Sequence, residues 1–437
     1  MSTNSGIRDL FSSKWGFILA AAGSAIGMGN IWLFPYRVGE QGGAAFLIPY
    51  IICVIVLGFT ALVGEITLGR LAGAGPIGAF SKALQMRGKN GKAGEFFGWI
   101  AVAVVFIVAV GYTVIVAWVI RFMLGSCTGA AFAAVDNAQY FTHITTSHIM
   151  LWVAVALAAA IFSMLKGVEK GIERVCKFMI PAFLVLFLIL LVRVAFLPNA
   201  SEGYKFLLTP KWEFLFSAKT WILALGQSFY SLSIFGSLMI VYGSYMRKTE
   251  NIISSARNIV ILDMAASIIA SLVIIPAVFA FGKDINAGPA LMFITMPEIF
   301  KTMAFGQLFM IMFFVGVFFA ALTSYISTLE AAVEALQNKF KLNRFKALAL
   351  LAAVAFVCNI YVHGDIGGFM DIMEIHFAPL CALIGGIFAF WITPAAKFKR
   401  ELETGKNKRT GKWIFPAGRY VFCILVITIY VLNIIKV

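Results

Sequence analysis

The chain has 437 residues, of which 61% are hydrophobic and 13% charged, and its mean hydropathy is +0.93. This composition excludes a soluble domain and predicts a polytopic helical protein whose partner is the lipid bilayer. The net charge of +15 does not indicate a nucleic-acid partner, because basic cytoplasmic loops of a membrane protein account for it. The six Cys form no Cys-x-x-Cys pair, so neither a metal site nor a disulfide framework is indicated.

Hydropathy predicts eleven transmembrane helices, which we number as spans in chain order: 15–38, 44–70, 95–125, 148–165, 172–197, 219–246, 256–281, 306–338, 346–362, 366–393 and 414–435. Most of the 35 Lys and Arg residues lie on the cytoplasmic side if the N-terminal segment 1–14 is cytoplasmic, which puts the C-terminus outside. The first apolar run is too long for a cleavable signal peptide. Segment 397–412 is interpreted as a solvated cytoplasmic loop, and 288–304 as a re-entrant or surface-lying helix.

Span 1 is unusually rich in glycine at its centre. Gly23, Gly27 and Gly29 precede Asn30 directly, and each interior glycine costs a helix roughly 0.5–1 kcal/mol relative to alanine. One interpretation is a helix that breaks near 25–29, so that freed carbonyl groups bind a cation and freed N–H groups bind an anion. The other is close helix packing through the small-xxx-small motif Gly23-x-x-x-Gly27.

Span 6 is the second candidate for a broken helix, because small and polar residues crowd its centre. They are Gln227, Ser228, Ser231, Ser233, Gly236 and Ser237. Span 6 would also open a second five-helix set, 219–393, that corresponds to the first set, 15–197, with 414–435 as an extra helix. Five spans per set would make the repeats inverted, and interrupted helices at matching places indicate a transporter site.

Four further spans carry polar groups with more than one interpretation. Glu65 marks either a functional site or a carboxylate that reaches the cytoplasmic surface. Tyr112 could simply pack with a satisfied hydroxyl, and Thr323-Ser324 could bond the carbonyls of their own helix. Asp263 is not expected to face lipid.

Taken together, these segments resemble the neurotransmitter:sodium symporter family, with its bacterial leucine-transporter fold. The resemblance rests on GSAIGMGNIWLFPY, QGGAAFLIPY, GEITLGR, GVEKGIERVCK, GQSFYSLSIFGS, FITMPEIF and AALTS, and it runs from Arg8 to span 10. It implies an all-α membrane protein with a 5+5 inverted repeat and broken helices 1 and 6. Eleven spans are common in prokaryotic members, which implies a prokaryotic inner membrane, and the pattern is similar to the tyrosine-transporting branch.

The resemblance also implies which residues form the sites. The substrate pocket would comprise Ser24, Ala25, Met28, Gly29, Val108, Tyr112, Phe229, Tyr230, Ser231, Ser233, Phe235, Gly236, Ser324 and Thr328. The first of one or two sodium ions would bind Ala25, Asn30, Ser231 and Asp263. The second would bind Gly23, Ile26, Ala320, Thr323 and Ser324. Gating and supporting roles would fall to Arg8, Tyr50, Glu65, Gln227, Tyr245 and Glu374.

Several positions depart from the family pattern. Leu33 stands where an outer-gate Arg pairs with the acid at Glu374, and Asn338 stands where an acid pairs with Arg8 at the inner gate. Gly236 replaces a bulky aromatic residue and Phe235 replaces a glycine. We expect Gly236 to leave room for a large substrate side chain.

These features predict a sodium-coupled importer of a neutral amino acid, large and aromatic such as tyrosine, that works by alternating access and is not an enzyme. Gly27 lies where amine carriers have an Asp, which leaves room for a substrate carboxylate. Asp263 would supply the charge that chloride brings in animal members, so no chloride requirement is expected. The alternatives are a proton-coupled transporter, for which Thr323 and Ser324 offer no titrating group, and a sensor that binds without flux. The sequence leaves the oligomeric state open.

Overall fold

The computed structural model describes residues 9–283, 285, 291–405 and 413–435, and within these ranges the secondary structure is helical without strands. Six helices of the described residues are long and apolar enough to cross a membrane: Ala44–Ala72, Lys92–Cys127, Val168–Ala195, Ile252–Ala280, Gly306–Phe340 and Arg344–Val362. The number of such candidates rises to nine if each of three bent pairs forms one span: Lys14–Ala25 with Gly29–Glu40, Asn137–Thr146 with Ile149–Met164, and Ala378–Ile392 with Ala395–Glu403. The fold is therefore that of an all-helical membrane protein, and the number eleven stays a prediction.

Shorter helices complete the described chain. They are Pro76–Gln85, Ala130–Ala133, Ala200–Leu208, Trp212–Leu215, Ala218–Ser231, Leu238–Ser244, Met296–Lys301, Ile366–Ile372 and Cys423–Ile435, with a short turn at Ile414–Pro416. Wide π-helical turns interrupt the spans at Gly29–Leu33, Val54–Gly58, Val168–Glu173, Leu291–Thr295, Met373–Phe377, Ile387–Ile392 and Ala417–Phe422. Such turns are rare in proteins and often accompany functional sites.

Span 1 is broken in its middle, as its glycines predict. The helix Lys14–Ala25 begins at Ser13, whose hydroxyl accepts a hydrogen bond from the Gly16 N–H. It ends before Ile26, whose extended backbone (φ −71°, ψ 107°) lets the second half leave at a bend of 57°. Both halves are buried over this stretch, so its open backbone groups are surrounded by protein rather than lipid, as membrane depth requires.

Span 6 is broken as well, between Ala218–Ser231 and Leu238–Ser244. The six residues between these helices make a tight turn with Ser233 (φ +54°) and Gly236 (φ +66°) in the left-handed region. Glycine adopts this conformation at no steric cost, whereas a serine there is uncommon. The Ser233 hydroxyl donates to the Ser24 carbonyl at 2.8 Å, so the two breaks face each other directly.

Span 8 closes the space beside the break in span 1. An added Cβ at Gly23 would lie 3.2 Å from the Thr323 Cβ, and one at Gly27 would lie 2.9 Å from the Ser324 hydroxyl oxygen. The glycines of span 1 therefore serve both interpretations, because they permit the break and the close approach of span 8.

Segment 397–412 differs from its interpretation as a solvated loop. Helix Ala395–Glu403, which we call the shelf helix, leaves the end of span 10 at a bend of 99°. One face of it is apolar, with Phe398 and Leu402 buried, and this face supplies the packing that a free loop lacks. Residues 406–412 lie outside the described residues. Within 288–304, the described part forms Leu291–Thr295 and Met296–Lys301.

Candidate functional site

A fully buried acid lies where spans 1, 2, 6 and 7 meet. The Asp263 carboxylate, with 0% of the residue exposed, accepts hydrogen bonds from the Asn30 amide at 2.7 Å and the Ser231 hydroxyl at 2.6 Å. The Tyr50 hydroxyl lies 3.2 Å from that of Ser231. Unpaired buried charge is costly, so this ring of polar donors indicates a site that holds an ionised carboxylate.

Asn30 connects this acid to the break in span 1. Its side-chain oxygen accepts from the Gly27 N–H at 3.0 Å, and its amide also donates to Ser267 at 2.8 Å. Ser267 was missed in the sequence because a lone serine in a span carries no special signal, although it lies one helical turn after Asp263. Gln227 extends the group by donating to the Gly29 carbonyl at 3.2 Å.

A small cavity of about 30 Å³ lies between the two broken helices and spans 3 and 8. Of the predicted substrate residues, those that line it are Ala25, Met28, Gly29, Val108, Tyr112, Tyr230, Ser233, Phe235, Ser324 and Thr328. Gly27 and Asn30 line it too. The Tyr112 hydroxyl accepts from the Met28 N–H at 3.1 Å. This backbone donor, at the start of the second half of span 1, could bind a carboxylate.

A wider cavity of about 420 Å³ lies directly beyond the small one. The two share Met28, Gly29, Tyr112 and Tyr230 as walls. The Tyr230 ring packs closely on Gly29, where an added Cβ would come within 2.5 Å of the ring. Tyr230 is therefore positioned to separate the two cavities.

Aromatic and aliphatic side chains dominate the wider cavity. Trp32, Trp118 and Phe141 line it, and so does Leu33. Leu33 carries no charge, so it cannot form the ion pair with an acid that an Arg at this position would form across the outer gate. The side chain of Glu374, the acid predicted for this gate, lies outside what the structure describes.

The five residues predicted for a second cation lie together on spans 1 and 8. The Ser324 hydroxyl donates to the Ser24 carbonyl at 3.2 Å. The Thr323 hydroxyl donates to the Phe319 and Ala320 carbonyls of its own helix, as the alternative interpretation describes, yet its oxygen keeps lone pairs for a cation. Together with the carbonyls of Gly23 and Ile26, these groups are hard oxygen donors, the ligand type that a small cation prefers.

Glu65 is buried, not drawn to the surface, and binds the turn in span 6. Its carboxylate accepts from the Gly236 N–H at 2.8 Å, and 3% of the residue is exposed. The prediction that Gly236 leaves room for a substrate side chain is wrong, however. This glycine faces span 10, and a Cβ there would collide with the Cys381 carbonyl. Phe235 lines the cavity instead.

Three other predicted substrate residues lie away from the cavity. The Phe229 ring packs against Phe422 at 5.4 Å, because that face of the helix turns toward span 11. Ser231 belongs to the group around Asp263. Ser24 contributes its carbonyl to Ser233 and Ser324 but does not line the cavity.

An ion pair that the sequence did not predict lies near the predicted cytoplasmic end of span 8. Arg344 donates to the Glu330 carboxylate at 2.6 and 3.1 Å, and the Tyr245 hydroxyl donates to it at 2.9 Å. Arg8, expected to pair at this end, lies outside the described residues, and Asn338 donates to Glu334 at 3.3 Å. The sequence did offer a signal for this ion pair: Glu330 and Arg344 are close in sequence, and a short turn joins their helices.

Comparison with known proteins identifies the family. The sequence model of the sodium:neurotransmitter symporter family matches residues 8–148 and 138–437. An uncharacterized sodium-dependent transporter of Bacillus subtilis is 35% identical over 98% of both chains. Another, from Methanocaldococcus jannaschii, is 31% identical over 93% of this chain and 86% of its own.

A solved structure has the same fold. The crystal structure of MhsT in complex with L-phenylalanine aligns with a TM-score of 0.87 and 30% identity, covering 97% of this chain and 99% of that one. The chain is thus a multi-pass membrane protein of the leucine-transporter type. It belongs to the sodium:neurotransmitter symporter family, whose members are sodium-dependent secondary transporters and not enzymes.

Proposed function

We propose that this protein imports a neutral, large hydrophobic or aromatic amino acid together with sodium, independently of chloride. The observation that carries the proposal is the convergence of both helix breaks on one small cavity, with the Met28 N–H at one side and the Asp263 group beside it. A backbone N–H at a helix start suits a carboxylate, and the adjoining oxygens suit sodium. An amino acid supplies the carboxylate that joins the two.

The substrate class rests on two supports. Gly27 leaves the amine position of monoamine carriers without an acid, so a substrate with its own carboxylate fits best. The aligned structure of MhsT holds L-phenylalanine, which supports an aromatic substrate here. The cavity of about 30 Å³ has room for a water or two, so an amino acid enters only if Tyr230 and Phe235 move.

The same geometry supports two cation positions. The first sodium would bind the Ala25 carbonyl, Asn30, Ser231 and Asp263, and the second would bind Thr323, Ser324 and nearby carbonyls of spans 1 and 8. The Asp263 carboxylate would balance the charge of the first ion, which removes the need for chloride. The membrane potential adds about 2.3 kcal/mol per charge per 100 mV to the driving force.

The proposed topology has eleven spans. Residues 15–197 and 219–393 would form the inverted repeats and 414–435 the extra helix, in the inner membrane of a prokaryote. The segment 1–14 would be cytoplasmic and the C-terminus outside.

Uptake into proteoliposomes tests the proposal. A panel of labelled amino acids is offered with an inward sodium gradient, and again with potassium in its place. We expect accumulation of aromatic amino acids with sodium alone, and the same rate when gluconate replaces chloride. Equal accumulation driven by a proton gradient without sodium would refute sodium coupling, and specific binding without flux would identify a sensor.

A further inference from the structure

The shelf helix packs against the ends of two predicted spans. Its Phe398 ring packs against Phe390 of span 10 at 5.5 Å and Phe415 of span 11 at 5.2 Å, while those two rings lie 6.0 Å apart. The bend of 99° relative to the end of span 10 turns the helix across the direction of that span. A helix that crosses the end of a span in this way would lie along the membrane surface.

One acid of the shelf helix is already neutralised inside the protein. The Glu401 carboxylate accepts from Arg70 at 2.7 Å and from Lys248 at 2.7 Å. Arg70, with 2% exposed, also donates to the carbonyls of Glu401 and Glu250. Glu403 is then the exposed acid of this helix, so the outer face of the helix keeps a basic character.

Exposed cations lie on the shelf helix and beside the adjoining end of span 10. Lys397, Lys399 and Arg400 are exposed on the helix itself. Arg87 reaches the end of span 10, where it donates to the carbonyls of Trp391 and Ile392 at 2.6 and 2.5 Å. Carbonyl groups carry no net charge, so Arg87 keeps its positive charge at this edge.

Aromatic rings hold Lys399 and a further cation, Arg419, in place. The Arg419 guanidinium lies 4.3 Å from the centre of the Trp391 ring, and the Trp391 indole donates to the Arg419 carbonyl at 2.8 Å. The Lys399 ammonium lies 5.8 Å from the centre of the Phe415 ring. Stacking restricts these side chains and leaves their donors available to an anion.

Large amphipathic rings are exposed at the same place. Trp391 is 41% exposed, Trp413 50% and Tyr420 51%. Tryptophan and tyrosine with this exposure are typical of the headgroup level of a bilayer. Basic clusters beside a span attract anionic lipids, at about 1 kcal/mol per Lys or Arg.

We propose that this basic and aromatic rim, formed by Arg87, Lys399, Arg400 and Arg419 around Trp391, binds the headgroup of an anionic phospholipid. The lipid would lie in the leaflet on the basic side of the membrane, the cytoplasmic side in the proposed topology. Its phosphate would contact the guanidinium groups, and its acyl chains would run along the lipid-facing sides of spans 10 and 11. The shelf helix and Arg70 link this site to span 2 and to the connection that follows the broken span 6.

Native mass spectrometry of the full-length protein with defined lipids tests the site. Dioleoyl phosphatidylglycerol is compared with dioleoyl phosphatidylcholine, for the unmodified chain and for the triple variant Lys399→Gln, Arg400→Gln, Arg419→Gln. We expect the unmodified chain to prefer phosphatidylglycerol. The triple variant should weaken that binding about a hundredfold, at roughly fivefold per charge, and leave phosphatidylcholine unaffected.

A matched control removes three exposed cations elsewhere on the predicted cytoplasmic side, through Lys166→Gln, Lys170→Gln and Arg174→Gln. It should retain phosphatidylglycerol binding. An equal loss in this control would show that net charge alone attracts the lipid and would overturn the proposal. Inorganic phosphate bound as tightly as the lipid would identify a soluble-anion site and overturn it as well.

Variants that keep the charge distinguish binding from folding. Lys399→Arg with Arg400→Lys should bind phosphatidylglycerol like the unmodified chain. If the triple variant does not fold, the single change Arg400→Gln, at an exposed position, should still weaken binding about fivefold. Unchanged binding in this variant and in Lys399→Gln would overturn the proposal.

Discussion

Asp263→Asn keeps the shape of the side chain at the centre of the site but removes its charge. The carboxylate is fully buried and bonded to Asn30 and Ser231, so little solvent screens it. A sodium ion bound by Asn30 and Asp263 would lie within about 4 Å of the centre of the carboxylate charge, where an effective dielectric constant of about 20 gives an attraction of at least about 4 kcal/mol. The loss corresponds to a decrease in sodium affinity of about a thousandfold.

Sodium-driven uptake in proteoliposomes measures this effect. In gluconate, we expect Asp263→Asn to lose uptake at ordinary sodium concentrations. In chloride, uptake should return in part, because the anion restores the missing charge. The matched control is Asp136→Asn at the exposed start of helix Asn137–Thr146, where asparagine caps a helix as well as aspartate does. Full activity of Asp263→Asn in gluconate, or a requirement for chloride in the unmodified protein, would refute the reasoning.

Three further predictions concern the second cation, the substrate and the turn in span 6. Thr323→Ala with Ser324→Ala removes two oxygen ligands and should abolish sodium-driven uptake; normal uptake would exclude this sodium site. Tyramine, which lacks a carboxylate for the Met28 N–H, should fail to compete with labelled tyrosine, and equal competition would exclude an amino-acid substrate. Gly236→Ala should lower the thermal unfolding temperature, since its Cβ meets span 10 in a left-handed backbone, whereas Gly226→Ala, with open space around it, should not. Equal unfolding temperatures would show that the turn tolerates a side chain.

The breaks in spans 1 and 6 could be predicted because they depend on local preferences: glycine and small polar residues disfavour a membrane helix wherever it packs. The direction in which Gly236 faces could not be predicted, because it depends on how span 10 packs against the turn. The same limit explains why the ion pair of Glu401 with Arg70 was not predicted. The two residues are 331 positions apart, and Glu401 lies in a stretch whose sequence resembles a solvated basic loop. The π-helical turns left no trace in the hydropathy, since one extra residue per turn hardly changes an apolar run.

The hydrogen bond between Tyr112 and the Met28 N–H has a consequence for the empty carrier. In every cycle, the empty binding site of a symporter must switch once from one side of the membrane to the other. During this step, a backbone N–H without a partner would be closed off from water at a cost of about 1–3 kcal/mol. Here the Tyr112 hydroxyl occupies that donor at 3.1 Å, and Ser233 occupies the facing Ser24 carbonyl. An arriving carboxylate exchanges one partner for another instead of filling a vacant site. The return step is thereby easier, and the net affinity for substrate is lower than its contacts alone would give.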